Sequence, residues 1–541
     1  MSEKSSAQTF VKGATVLAVA GILSRAIGLF YKVPLYRMVG SYGNGIYGNV
    51  TNIYNMLLMV STVGMPVAIS KMISEAMATD DFYAVRQTYR VSMASLLILG
   101  GAATLFLLFG SDAIIAFGHW PRESYPALMA VAFAPFVIAI CSAYRGFFQG
   151  MQLMNPTAIS QIWEQVVRVG LGVVLCYLFV AGGYGTGMGV AGAILGATVG
   201  GVIAAGYLIN DFLKYKGEHP EIFAKDLTPT KTWQQALKRL MLIAVPVTLT
   251  SVIVSLYATI NSFIYIPRLG AAGIDKMTAT MMFGDYTNVD MLINLPLVIS
   301  ANLAVAMIPA ISEAFAVGDN KTVVDRIDLA MRLIIIVGFP SCVGLSVLSQ
   351  GIFDLLFPGS EYGPGLMQVF AYITIFMMLS NIFQSILQAI DRFRVPLITL
   401  AGGTVIFLVS GWFAMAVPAL NIYGMGLAFG ITFVYQTVVN YFFVKRYTGM
   451  RIHWVQTIIK PSVASALMGL AVFAVYHFVH RFSGNFIALT LAIIVGVAVY
   501  AIVLIVIGGI DDNTLEALPG SRYIVPVVGR VLAVKDKIMH R

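Results

Sequence analysis

The sequence predicts an all-α membrane protein that crosses the bilayer many times. Of its 541 residues, 58% are hydrophobic and only 11% are charged. A soluble protein carries about 25% charged residues, so this chain has too few charges to cover a water-exposed surface. Apolar runs of about 20 residues, the length that spans a bilayer as a helix, recur along the whole chain. These observations exclude a soluble enzyme and a disordered chain.

Fourteen apolar segments, separated by polar or glycine- and proline-containing breaks, are predicted to be transmembrane helices. We expect the first segment to be a retained helix and not a removed signal peptide, because it contains Arg25 and Lys32 and has no small-residue cleavage site. The segments cover residues 10–33, 44–70, 86–109, 124–148, 157–181, 187–212, 239–266, 281–311, 328–350, 364–389, 396–417, 422–444, 458–479 and 485–509.

The distribution of lysine and arginine predicts the orientation of these helices. With a cytoplasmic N-terminus, most of the 34 basic residues fall on the cytoplasmic side, as the positive-inside rule requires. Those expected outside are Arg37, Arg122, Arg268, Lys276 and Arg481, and those expected inside the membrane are Arg25, Lys32 and Arg168. Both termini are therefore predicted to be cytoplasmic. The net charge of +9 is explained by basic residues on the cytoplasmic side that face anionic lipid. No nucleic-acid partner is expected.

An internal repeat divides the chain into two similar halves. The sequence ISEA at 73–76 recurs at 311–314, and GMGVA at 187–191 has the counterpart GMGLA at 424–428. Each repeat contains six helices, an even number, so both insert in the same direction as a parallel repeat. Such repeats place a substrate site between two lobes near the membrane midplane, where alternating access exposes it to either side.

The repeat predicts three parts of the chain. We expect an N-terminal six-helix lobe at 1–225, a C-terminal six-helix lobe at 226–450, and two additional helices with a cytoplasmic tail at 451–541. The polar, basic linker at 213–238 is the clearest change of composition along the chain, and it marks the boundary between the halves.

One face of the first helix is cationic. Gly21, Arg25, Gly28 and Lys32 recur at helical spacing, with small residues between the charges. A charge at mid-bilayer costs about 2.5–3.5 kcal/mol on insertion scales, so each needs a reason. Arg25 lies far from the outer end and is predicted to line a hydrated cavity. Lys32 has two interpretations, because it either lines the same cavity or extends to the outer headgroups.

Polar stripes also occur on two helices that the repeat makes equivalent. The eighth carries Thr287, Asp290 and Asn294 on one face, and the second carries Asn49, Asn52 and Asn55. We predict that Asn52, Asp290 and Asn294 contact substrate in a central cavity. The alternative is that these side chains only form hydrogen bonds between helices.

Three further charged residues are candidates for gating or ion coupling. Glu164 and Arg168 are four residues apart, so they can form an ion pair, and a structural pair is the alternative to a gating role. Asp285 is a candidate cation or proton site.

No motif predicts an enzyme, a cofactor or a bound metal. The glycine-rich stretch at 187–192 fits a dinucleotide fingerprint, but no strand precedes it. Gly192, Gly196 and Gly200 continue at four-residue spacing, which predicts close helix packing instead. With no nucleotide-binding motif, the energy for transport must come from a coupling cation, the membrane potential or the substrate gradient.

Five motifs occur along the chain: SRAIG at 24–28, GSYGNGIYG at 40–48, STVGMP at 61–66, EQVVR at 164–168 and IPAIS at 308–312. These motifs resemble those of the polysaccharide-exporter branch of the MOP superfamily. Within that branch, the chain is similar over essentially its whole length to the YtgP/SpoVB-like proteins, which are related to the MurJ lipid II flippases. The sequence departs from MurJ proteins of Gram-negative bacteria at Tyr31 and Met291, where those proteins carry arginine.

The resemblance implies a flippase in the bacterial cell membrane, with no enzymatic activity. Its cargo would be an undecaprenyl-pyrophosphate-linked precursor, with lipid II for peptidoglycan synthesis as the leading candidate. In the family, the arginine that corresponds to Arg25 is thought to meet the pyrophosphate, and the two C-terminal helices are thought to guide the lipid tail. We expect a monomer that contacts membrane lipids and cell-wall synthesis proteins.

Two alternatives follow from the same residues. The cargo could be another lipid-linked polysaccharide precursor, for teichoic acid, capsule or spore cortex. A MATE-like drug or cation antiporter shares the two-lobe plan, but the cationic first helix and the two extra helices argue against it.

Overall fold

A computed structural model of the protein describes the backbone of residues 3–224, 229–230, 232–450 and 452–509. Within these ranges it describes all side chains except those of residues 3–26, 29–30, 60–62, 250, 253–254, 305–306 and 310. Every regular element in the described part of the chain is helical, as the sequence predicts. The chain divides into two compact units, Met1–Gly284 and Asp285–Arg541.

The first unit consists of long helices joined by short turns, with one 3₁₀ turn at Pro220–Phe223 after its seventh helix. The unit ends within α9 (Lys276–Ala316). The helices before α9 are α1 (Glu3–Thr62), α2 (Gly64–Met77), α3 (Phe82–Gly118), α4 (Ser124–Val131), α5 (Ala134–Gly150), α6 (Met154–Ala181), α7 (Thr186–Glu218) and α8 (Trp233–Ala271).

Helix α1 reverses its direction at Gly40. Gly40 leaves helical geometry, with φ 65° and ψ −172°, a conformation that glycine adopts without steric cost. The rings of Tyr31 and Tyr47, on either side of it, lie 6.3 Å apart between centroids. A straight helix would separate these residues by about 24 Å along its axis. The two arms of α1 are therefore antiparallel, and the helix continues up to Gly40 where the sequence predicts a loop.

The second unit begins in α9 and contains the remaining helices. A π-helical turn at Val455–Ile459 leads into its penultimate helix. These helices are α10 (Asn320–Val347), α11 (Ser349–Leu356), α12 (Gly363–Ala389), α13 (Arg394–Ala414), α14 (Tyr423–Thr448), α15 (Lys460–His480) and α16 (Asn485–Val506).

Three of the predicted segments are interrupted in the structure. The segment at 44–70 is divided between α1 and α2, with Val63 between them. The segment at 124–148 is divided between α4 and α5, and Pro135 stands in the first turn of α5. Proline lacks the N–H that would continue the preceding helix, which explains a new helix start there. The segment at 328–350 is divided between α10 and α11, with Leu348 between them.

Twelve stretches of the described residues are helices long and apolar enough to cross a membrane, so the chain is a multi-pass membrane protein. The predicted segment at 239–266 is not among them, and most side chains of the segment at 10–33 lie outside the described residues. The total of fourteen spans therefore stays a prediction, and so do the lobe limits at 225 and 450. Helix α8 packs against α1, α2 and α3, which explains why it belongs to the first compact unit.

A glycine stripe brings α6 and α7 into close contact. A Cβ on Gly196 would lie 2.5 Å from the carbonyl oxygen of Arg168, and one on Gly200 would lie 2.6 Å from that of Glu164. Only a residue without a side chain allows backbones to approach this closely. The structure thus confirms the predicted packing role of these glycines, which fix the part of α6 that carries its charges.

Candidate functional site

The first arm of α1 carries the predicted cationic stripe. The side chain of Arg25 lies outside the described residues. Lys32 is half-buried, and its Nζ lies 5.8 Å from the ring centroid of Tyr47 on the second arm, a cation–π geometry. Tyr31, the neighbour of Lys32, is buried and donates a hydrogen bond of 2.9 Å to the carbonyl oxygen of Ala193. Lys32 therefore lies over the ring of Tyr47, and Tyr31, whose ring faces Tyr47, connects this part of α1 to α7.

The asparagine stripe on the second arm binds α8. Asn52 donates hydrogen bonds from Nδ2 to Ser262 Oγ (2.8 Å) and to the carbonyl oxygen of Ala258 (3.2 Å). Asn49, fully buried, donates to the hydroxyl of Tyr265 at 2.9 Å. These contacts match the alternative interpretation, in which the amides join helices.

In the second unit, α9 brings together Asp290 and Asn294. Asn294 is exposed, and its Nδ2 donates to the backbone oxygen of Asp290 at 2.7 Å and to the carboxylate Oδ2 at 3.2 Å. This pair presents both a carboxylate and an amide group at one place on the helix. Asp285, by contrast, is fully buried and accepts a hydrogen bond of 3.0 Å from the backbone N–H of Tyr362.

Glu164 and Arg168 form the predicted ion pair, with 2.7 Å between Arg168 Nη2 and Glu164 Oε1. A third charge joins them from α5. Arg145 Nη2 lies 3.0 Å from Glu164 Oε2, and Arg145 Nε donates to Ser160 Oγ at 3.0 Å. The side chains are mostly buried, with exposed fractions of 12% for Arg145, 10% for Glu164 and 25% for Arg168. We call these three residues the arginine–glutamate cluster.

Arg145 is the functional candidate that sequence reasoning missed. The sequence places it near the cytoplasmic end of its helix, among the residues explained by the positive-inside rule. Its partner is on the neighbouring helix α6, and no local spacing relates the two positions. Only the packing of α5 against α6 brings them together.

An apolar groove of about 540 Å³ lies in the second unit, among α9, α10, α11, α15 and α16. Its two hydroxyl groups are already bonded to backbone, since Ser341 donates to the carbonyl oxygen of Val337 at 2.7 Å and Tyr500 to that of Ile336 at 2.8 Å. The groove therefore offers a hydrocarbon surface to a ligand. Its lining includes Leu295, Pro296, Pro340, Gly344, Met468 and Val497.

No group of three or more histidine, cysteine, aspartate or glutamate side chains that could hold a metal ion occurs among the described residues. What the two units offer chemically is charge and apolar surface. The first unit holds cations beside tyrosines, and the second holds a carboxylate–amide pair and an apolar groove.

Comparison with solved structures shows that the fold is similar to that of known membrane transporters. The chain is similar to a lipid II flippase MurJ in an inward closed conformation, with a TM-score of 0.68 and 16% identity, covering 90% of this chain and 98% of that one. It is also similar to an inward-facing multidrug resistance MATE transporter of the MOP superfamily, with a TM-score of 0.67 and 15% identity, covering 77% and 94%. At these identities the likeness concerns the fold alone.

Comparison of sequences shows relatives along nearly the whole chain. Stage V sporulation protein B of Bacillus subtilis is 29% identical over 530 residues, 97% of this chain and 99% of that protein. Lipid II flippase MurJ of the same organism is 26% identical over 484 residues, 85% and 87% of the two chains. The family model described as polysaccharide biosynthesis protein matches residues 10–315, more than half of the sequence. The chain therefore belongs to the polysaccharide biosynthesis protein family of membrane proteins.

Proposed function

We propose that this protein is a flippase that moves an undecaprenyl-pyrophosphate-linked cell-wall precursor from the inner to the outer leaflet, with lipid II as the leading cargo. The observation that carries the proposal is the apolar groove among α9, α10, α11, α15 and α16. Its satisfied hydroxyls leave a hydrocarbon surface suited to a polyprenyl tail, and the two helices added to the six-helix repeats form one wall of it. Transport proceeds by alternating access.

In this proposal, the cationic stripe of α1 holds the pyrophosphate. Arg25, together with Lys32, attracts the phosphates in a low-dielectric cavity far more strongly than it would in water. Asn52, Asp290 and Asn294 contact sugar or ordered water. Asp285 is a proposed site for a coupling cation or proton, and the membrane potential is the other source of energy.

The proposal places the protein in the bacterial cell membrane with both termini in the cytoplasm, where it acts as a monomer alongside the enzymes of cell-wall synthesis. It assigns no chemical step to the protein.

A second cargo is supported by a specific observation. The relative that matches over 97% of this chain is a stage V sporulation protein, and the family model is described by polysaccharide biosynthesis. A lipid-linked polysaccharide precursor other than lipid II, such as one for spore cortex, would use the same groove and the same cations. An antiporter of the MATE type is supported by the shared fold alone.

The test is complementation in a bacterium whose own lipid II flippase is depleted. Wild-type protein and the Arg25→Lys variant are expected to restore growth, whereas Arg25→Gln at equal abundance is not. Arg481→Gln, which removes an exposed arginine beyond α15, is the matched control and is expected to rescue. Rescue by Arg25→Gln would overturn the role of Arg25 while keeping the cargo. A well-expressed wild type that fails to rescue would exclude lipid II in favour of another lipid-linked precursor.

A further inference from the structure

Two arginines share one carboxylate in the arginine–glutamate cluster. Glu164 Oε1 bonds to Arg168 at 2.7 Å and Oε2 bonds to Arg145 at 3.0 Å, so both oxygens are occupied. One arginine would suffice to neutralise Glu164. The second leaves a surplus positive charge inside the first unit.

The depth of this surplus charge makes it unusual. Arg168 lies near the middle of α6, about 20 Å from either end of the helix. Ionisable residues at that depth are expensive to insert and generally line a substrate or ion path. A purely structural role explains one ion pair between α5 and α6, but it does not explain the second guanidinium.

Arg168 also retains unused hydrogen-bonding capacity. A guanidinium has five N–H donors, and the buried Nε of Arg168 has no hydrogen-bond partner among the described residues. The hydroxyls of Tyr31, Tyr47 and Tyr54 lie within electrostatic range of this guanidinium. Tyr54 is only 4% exposed, and its hydroxyl also has no partner in the described part of the chain. An unfilled N–H on Arg168, an unfilled O–H within its electrostatic range and a surplus positive charge are the groups that an anion would satisfy.

Tyr47 relates this site to the first arm of α1. Its ring lies 6.3 Å from that of Tyr31 between centroids and 5.8 Å from Lys32 Nζ, and its hydroxyl is within electrostatic range of Arg168. A coupling cation, in contrast, would need a carboxylate that is not already bonded to two guanidiniums, and Glu164 offers none.

We propose that Arg168, with the hydroxyl of Tyr54, is a second contact for the phosphate groups of the lipid-linked substrate. Arg145 is the positioning residue, because it occupies Glu164 and so leaves the charge of Arg168 available. The inference rests on the proposed function, since it assigns the anion at this site to the substrate. It replaces gating or ion coupling as the role of Glu164 and Arg168.

The experiment measures binding of three lipids to the full-length protein in nanodiscs: undecaprenyl pyrophosphate, undecaprenyl phosphate and undecaprenol, which has no phosphate. Arg168→Gln is expected to weaken both phosphate lipids by about ten- to hundredfold and to leave undecaprenol unchanged. Tyr54→Phe weakens them less, and Arg168→Lys retains part of the affinity. Arg481→Gln is the control and binds all three lipids as wild type does.

The role of Arg145 has its own test. In Arg145→Gln, Glu164 neutralises Arg168, so affinity for the phosphate lipids falls. The double variant Arg145→Gln/Glu164→Gln restores the surplus charge and is expected to recover that affinity, which a structural role for the cluster would not produce. Absence of recovery in a folded double variant would refute the positioning role.

Failure of the inference is distinguishable from failure of the proposed function. Equal loss of all three lipids in Arg168→Gln, or no loss at all, overturns the phosphate contact while the flippase proposal stands. If wild type binds none of the lipids, the proposed function fails, and inorganic pyrophosphate becomes the probe. Binding of pyrophosphate to wild type but not to Arg168→Gln would then retain the anion site, and no binding would refute both.

Discussion

The α-carbon of Gly196 lies against the carbonyl oxygen of Arg168, where a Cβ would stand 2.5 Å from that oxygen. This contact joins the helix that bears the buried ion pair to its neighbour α7. Because the obstacle is backbone, which cannot rotate away, a larger residue must push the two helices apart.

We expect Gly196→Ala to lower the free energy of unfolding by about 1–3 kcal/mol, the usual cost of overpacking. Gly206→Ala, on the same helix α7, is the matched control because a Cβ there meets nothing within 4 Å. It is expected to be neutral or slightly stabilising. Thermal unfolding of the two variants in detergent checks this, and equal melting temperatures would contradict the close packing.

The arginine–glutamate cluster predicts an unequal response to its two neutralising substitutions. Glu164→Gln leaves two mostly buried arginines without a counter-charge and should destabilise the protein by about 3–5 kcal/mol. Arg145→Gln leaves a complete pair between Glu164 and Arg168 and should cost far less. Thermal unfolding of both variants at equal pH and salt is the measurement. A larger loss in Arg145→Gln would show that Ser160 and the helix contacts of Arg145 matter more than charge balance.

We predict that a bulky side chain placed in the apolar groove blocks transport without unfolding the protein. Gly344 lines the groove, and a Cβ there meets nothing within 4 Å, so Gly344→Trp can place its ring in the cavity. We expect lipid II transport by reconstituted protein to fall by about tenfold, equivalent to roughly 1.4 kcal/mol. Gly101→Trp on α3, where a Cβ is equally unobstructed, is the control and should transport normally. Similar rates for both variants would remove the groove from the transport path.

The aspartate that caps the start of α10 is expected to make the stability of the protein depend slightly on pH. Hydrogen bonds from the hydroxyl of Thr322 (2.6 Å) and its backbone N–H (3.1 Å) hold the pKa of Asp319 below its ordinary value of about 3.9. The carboxylate therefore stabilises the folded state at and above that ordinary value, and the contribution is lost as the pH falls through the lower pKa of the folded state. Asparagine caps a helix without titrating.

Thermal unfolding between about pH 3 and 6 tests this. Asp319→Asn should show a shallower loss of melting temperature on acidification than wild type. Asp325→Asn, which changes an exposed aspartate further along α10, should follow the wild-type curve. Parallel curves for wild type and Asp319→Asn would disprove the capping effect.

The fold was predictable where a local pattern decides it. Apolar length determines where the helices are, and the four-residue spacing of Gly192, Gly196 and Gly200 indicated the packing that the structure confirms. The sequence also predicted that the chain turns back between the segments at 10–33 and 44–70. It did not predict that a single glycine with positive φ makes this turn, because the polar residues around Gly40 indicated a loop.

The candidate site was predictable in part for the same reason. The pair of Glu164 and Arg168 follows from helical spacing, whereas the bond of Arg145 to Glu164 depends on how α5 meets α6. The bonds of Asn49 and Asn52 to α8 likewise depend on a helix far along the chain. A single sequence contains no record of such distant contacts.

The last two helices are tied to each other at both ends. On one side, Gln456 and Lys460 both donate to the carbonyl oxygen of Gly508, at 2.9 and 2.7 Å. On the other, Tyr476 donates to Asn485 at 3.0 Å, and Asn485 donates to the carbonyl oxygen of Gly351 at 2.9 Å. Neither end can fray without breaking bonds that also hold its partner, so α15 and α16 open as one cooperative unit. Their amide hydrogens should therefore be protected from exchange to a similar degree, together with those of α11.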